Sequence, residues 1–208
     1  MVGGAARNHR GWFPESLRTK PREVVLTGLR RVRAPVRSTP MTIIIGIDPG
    51  VSGALAALEF GRKGVSRVLD VIDMPTMPGI KKRRIADAHG VTDWLEGFAP
   101  DLTADDWACV VEDVHAMPRD GAVGAFSFGR SCGVLDGVTA ALGLSTVKVR
   151  PQRWKEDLDL IGSEKTDSRV MAASLWPSHA ELFSRVKDDG RAEACLIAAW
   201  GALYGPVL

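Results

Sequence analysis

Seven residues, Thr42–Asp48 (TIIIGID), constrain the fold more than any other stretch of the chain. They include four isoleucines, and β-branched side chains suit a strand better than a helix. The run is apolar on both of its alternating faces, so it needs cover on both sides, as an interior strand of a layered sheet has. It ends on Asp48, in front of the turn sequence PGVSG. A carboxylate at the end of a buried strand is costly unless it is paired or holds a cation. An aspartate before Pro-Gly is also an ordinary turn residue.

The next segments of the chain fit the same sheet. Ala54–Phe60 reads as a returning strand and Val65–Met74 as a third, giving an antiparallel meander. PTMPGIKKRRI reads as a proline-bearing basic loop. Ala88–Phe98 suits a helix packing Val91, Trp94, Leu95 and Phe98. Trp107–Val114 is a buried fourth strand. Gly121–Leu144 is a long helix in which Gly129, Gly133 and Gly137 recur on one face, against either the sheet or a second copy of the chain. Ser145–Arg150 is a fifth strand, and Pro151 opens a short helix with Trp154 and Lys155. A helix over KTDSRVMAASL stops before Pro177, and DDGRAEACLIAAWGALYG forms the last one. Three meander strands followed by alternating helix and strand predict an α/β fold, a five-stranded mixed sheet with helices on both faces.

Charge divides the chain near Pro40-Met41. Residues 1–40 hold nine basic and two acidic side chains, net +7, and the remainder is net −5. With four prolines and no apolar period, the first forty residues read as a disordered basic extension ahead of a folded domain at 41–208. Three readings of that extension stay open. It is sequence upstream of a start at Met41, an Arg-rich organelle address, or a basic arm that touches nucleic acid. The three cysteines form no CxxC pair and read as reduced thiols of a cytoplasmic protein, or a plastid one if the extension is a transit peptide. No apolar run is long enough to span a bilayer.

The carboxylates carry the chemistry. Asp48 and Glu112 each fall at a strand end, and Asp189 and Glu193 lie four apart on one face of the last helix. Each has a plain alternative as a turn residue, a charged strand end, or a favourable acid at a helix N-terminus. Together they are a set of oxygen ligands from three elements, suited to Mg²⁺ or Mn²⁺ rather than Zn²⁺. Asp188 is an alternative to Asp189.

The stretches IIIGIDPGVSGALAAL, VVEDVHAMP, FSFGRSCGVLDGV, VRPQRWKEDLDL, KTDSR and DDGRAEACLIAAWG, in this order over residues 42–205, resemble the RuvC-type Holliday-junction resolvases, in their phage, bacterial and chloroplast branch. The resemblance implies an RNase H-like fold, a homodimer, and paired metal-dependent nicking of four-way DNA junctions. It assigns catalysis and metal binding to Asp48, Glu112, Asp189 and Glu193. Its PQRWK motif implies a DNA contact for Lys155; Arg153, Lys165, Arg169, Arg130, His115 and Phe128 are further candidates, with His115 equally a plain loop residue and Phe128 equally a packing residue of the core or of a dimer. Lys81–Arg84 form a further basic cluster, equally at home as a solvated loop. Trp154 reads as a core anchor. Two other readings remain: an RNase H-like nuclease for flaps, branches or RNA/DNA hybrids, and an actin- or sugar-kinase-like phosphate-binding domain, which GIDPGVSGALA also resembles.

Overall fold

The computed structural model describes residues 42–61, 66–98, 107–117, 120–162 and 164–205. The expected extension at 1–40 lies outside them. The strands are β1 (Thr42–Asp48), β2 (Ala54–Phe60), β3 (Ser66–Asp73), β4 (Thr76–Pro78), β5 (Arg84–Ala86), β6 (Trp107–Glu112) and β7 (Ser145–Val149). The helices are α1 (Ala88–Glu96), α2 (Gly121–Ala141), α3 (Pro151–Asp157), α4 (Lys165–Leu175) and α5 (Asp189–Tyr204).

Five strands form the main sheet in the order β3-β2-β1-β6-β7. The first three pair antiparallel, while β1, β6 and β7 run parallel. β1 is central and covered on both faces, as its unbroken apolar run requires. Ile43, Ile45 and Ile47 join Val91, Leu95, Leu135 and Val138 in a core under α1 and α2. Ile44 joins Trp154, Met171 and the buried side of α5 in a second core on the opposite face. The mixed sheet with helices on both faces is as expected.

The basic stretch after β3 differs from expectation. It is a two-stranded hairpin, β4 paired with β5, rather than a loop. Arg84 closes it by donating from Nε to Thr76 Oγ1 at 2.6 Å and from Nη2 to Thr76 O at 2.8 Å. A second difference lies in the 3-10 turns Pro177–Phe183 and Val186–Asp188 before α5, where short polar runs give no period to read.

The cysteines Cys109, Cys132 and Cys195 are free, and burial pushes the Cys109 thiol up to about 12. Among the described residues no helix is long and apolar enough to cross a membrane.

Candidate active site

Strand alternation decides which face the acids take. Ile47 faces α1 and α2, so Asp48, one step on, turns to the α5 side. Along β6 the same alternation puts Val111 under α2, and Glu112 on the α5 side. The parallel register pairs Ile47 with Val111, which sets Asp48 and Glu112 abreast at the C-terminal ends of neighbouring strands.

The third carboxylate comes from α5, and two glycines bring it there. A Cβ on Gly46 would collide with Ala194 O and lie 2.7 Å from Ala198 N. The helix therefore crosses β1 at backbone contact. At its first turn, a Cβ on Gly190 would lie 2.6 Å from Ser52 O, in the turn that follows Asp48. Glu193, next to Ala194, is held near both strand-end acids.

The electrostatics record this proximity. Burial pushes the Asp48 carboxyl up to about 7, and the charges of Glu112 and Glu193 add to the rise. Glu112 is also raised by burial, opposed by a hydrogen bond from Trp154 Nε1 to its Oε1 at 2.8 Å and increased by Glu193. Lys155 Nζ donates to Glu193 Oε1 at 2.9 Å, with Ser168 Oγ at 3.5 Å from the same oxygen. Adjacent residues of α3 thus hold two of the three acids.

Asp189 stands one turn before Glu193, where Arg169 Nε donates to its Oδ1 at 2.8 Å. Asp188 is fully buried, and its side chain accepts three bonds from the Arg185 side chain and one from the Arg185 backbone rather than capping α5. Burial acts to raise its pKa, but the Arg185 bonds outweigh that and hold it below the ordinary value. That commitment leaves Asp189 the better of the two neighbouring candidates. Among the described residues, no three His, Cys, Asp or Glu side chains are closed tightly enough to hold a metal ion as they stand. The donor set itself, carboxylate oxygens gathered closely enough that neighbouring charge raises Asp48 and Glu112, matches a hard divalent cation. The Lys155 ammonium supplies positive charge beside it.

The expected DNA-facing residues divide. Lys155 and Arg169 adjoin the acids. Arg153 is exposed and pairs with Asp157 at 2.9 Å. His115 is exposed in the segment after β6, and Arg130 is exposed on α2. Phe128 lines a separate cleft beside α2. Lys165 opens α4, but its side chain lies outside the described residues. Sequence reasoning missed the Trp154 bond to Glu112; the only signal was an indole beside Lys155 in a short helix. It also missed Gly46, a lone glycine within a β-branched strand, which marks a close backbone approach.

No family model matches the chain. One curated relative, the chloroplastic Holliday junction resolvase MOC1 of Chlamydomonas reinhardtii, is 35% identical over 91 residues, 43% of this chain. The match spans about 10% of that relative's length. Among solved structures, Thermus thermophilus RuvC aligns with TM-score 0.54 at 20% identity over 78% of this chain and 95% of its own. T. thermophilus RuvC in complex with a Holliday junction substrate aligns with TM-score 0.52 at 16% identity, over 79% and 98%. Read with the strand order and two-sided helical cover, these likenesses give the chain the fold of RuvC, an RNase H-like architecture.

Proposed function

We propose that this chain is a RuvC-type resolvase that hydrolyses phosphodiesters at four-way DNA junctions, with its active site at Asp48, Glu112, Glu193 and Asp189. The observation that carries the reading is the meeting of Asp48, Glu112 and Glu193 from β1, β6 and α5 on one face of a RuvC fold. The partial identity to a junction resolvase supports the substrate class.

These carboxylates would hold Mg²⁺, two ions per site with Mn²⁺ as substitute. Bound there, such ions lower the pKa of an attacking water and neutralise the leaving oxygen. The chain's own residues do the positioning. Trp154 fixes the rotamer of Glu112 through its indole N–H. Lys155 and Arg169 set cationic groups beside the acids, where a DNA phosphate needs charge to approach a negative site. Arg153, Lys165, Arg130, His115 and Phe128 extend the proposed DNA contacts. A homodimer would supply the second active site for the opposing strand.

Matched four-way, flap, linear duplex and RNA/DNA substrates test the substrate class. The resolvase reading expects Mg²⁺-dependent cutting of the four-way junction well ahead of the others. Equal or faster cutting of flaps or RNA/DNA hybrids would replace it with a general RNase H-like nuclease.

A further inference from the structure

α3 spans only the seven residues Pro151–Asp157, yet it touches two of the proposed acids. Trp154 Nε1 donates to Glu112 Oε1, and Lys155 Nζ donates to Glu193 Oε1. A helix this short does not hold itself in place. Its N-cap residue, Arg150, makes no side-chain capping bond either. Contacts from outside the helix must fix where its side chains stand. We propose that the hydrogen bond between Asp157 and Trp200 is the brace of α3, and that both are positioning residues for Glu112 and Glu193. The inference rests on the proposed metal site and deepens it, by naming what sets the geometry of its acids.

Trp200 Nε1 donates to Asp157 Oδ2 at 2.8 Å. Trp200 is 6% exposed and the Asp157 side chain 15%. Where water is largely excluded, a polar group that loses its partner is not compensated by solvent, so the bond resists parting. The same Oδ2 accepts from Arg153 Nε at 2.9 Å, one turn earlier on α3. The carboxylate is therefore tied both to its own helix and to α5, and turning aside would give up both bonds.

The other attachments leave this bond a specific task. Trp154 and Leu158 are buried in the core on the α5 side of the sheet. Apolar contact is non-directional, so it sets the depth of α3 but resists sliding and rolling weakly. Hydrogen bonds supply direction. Trp154 and Asp157 are three residues apart, neighbours on one face of α3. Trp200 lies seven residues after Glu193, on the same face of α5 and about 10 Å further along it. The two helices are thus joined at two points, Lys155 to Glu193 beside the acids and Asp157 to Trp200 away from them. The near tie depends on a flexible ammonium that an incoming phosphate would attract. The far tie depends on a buried indole with no such competitor, so it keeps α3 in register when Lys155 turns to DNA. Metal ligands must stand within about 0.2 Å of their required distances, so a small roll of α3 at Trp154 is enough to matter.

The test is calorimetric titration of Mg²⁺ into the metal-free full chain without DNA, far below each variant's melting temperature, with melting curves run in parallel. Asp157→Ala and Trp200→Phe should each weaken Mg²⁺ binding by about tenfold, the low end of what a lost supporting contact costs a metal site. The double variant should be no weaker than either single one, because both remove the same bond. Asp157→Asn still offers an oxygen to the indole N–H and should bind Mg²⁺ nearly as wild type does. Glu156→Gln removes the same charge from the exposed neighbour and should also match wild type. Should Asp157→Ala fail to fold, Asp157→Asn against Trp200→Phe decides alone. Folded Trp200→Phe that binds Mg²⁺ like wild type overturns the brace. So does Asp157→Asn weakened as much as Trp200→Phe, which would make the effect one of charge. Wild-type protein that binds no Mg²⁺ overturns the metal-site reading itself, and the brace with it.

Discussion

The side chains of the proposed site differ in how far their placement could be read from sequence. Asp48 and Glu112 were legible because a strand-end carboxylate after an apolar run contradicts its neighbours. Asp189 and Asp188 were not separable, since adjacent acids at a helix start look alike; only the Arg185 bonds divide them. Asp48→Asn or Glu112→Gln removes a charge at nearly constant shape. Each should cut Mg²⁺-dependent nicking at least about a hundredfold while junction affinity stays close to wild type, as read by single-turnover cleavage beside binding. Trp154→Phe keeps an aromatic in the core but removes the N–H from Glu112. It should lower apparent Mg²⁺ affinity by about 10–100-fold, visible as a shifted Mg²⁺ titration of the nicking rate.

The same carboxyls predict a pH dependence. In the metal-free protein Asp48 holds its proton to about pH 7, whereas its ordinary value is 3.8. Between those values the unfolded chain has lost a proton that the folded chain keeps, so stability falls as pH rises. Metal-free melting temperatures should therefore decline from pH 4 toward pH 7, by several degrees. Mg²⁺ should restore more at pH 8 than at pH 5, because a carboxylate must be ionised to bind it. Melting that rises across this window in metal-free buffer would contradict the clustered, protonated site.

Among the elements, the main-sheet strands and the helices were readable because their apolar periods are long and unbroken. The β4–β5 hairpin was not, since its strands are three residues each and the positive-φ positions of its turn are lysines rather than glycine or asparagine. The glycines of α2 were only half legible. A Cβ on Gly129, Gly133 or Gly137 would meet nothing within 4 Å, so they do not pack the helix onto its own sheet. Gly46 has the opposite character, facing the α5 backbone. Gly46→Ala should force α5 away from β1 and cost about 1–3 kcal/mol or more. Denaturant melts would register that loss, and nicking should fall further than stability because Glu193 moves with the helix.

For the whole molecule, symmetric resolution needs two active sites facing opposite strands, and one five-stranded domain carries one set of acids. The proposed twofold dimer would supply the second. The open glycine face of α2 is the proposed contact, and Gly133→Leu should give monomers in light scattering that make only uncoupled nicks. The proposed boundary near residue 40 predicts that removing 1–40 leaves melting and cleavage unchanged, because Thr42 already begins the central strand. The most direct measurement of the central claim is product mapping on a synthetic four-way junction labelled in turn on each strand, with Mg²⁺ at pH 8. The account predicts paired nicks placed symmetrically across the branch point on two opposing strands, absent with Asp48→Asn although that variant still binds the junction. Unpaired or scattered nicks, or symmetric nicks that persist in Asp48→Asn, would contradict it.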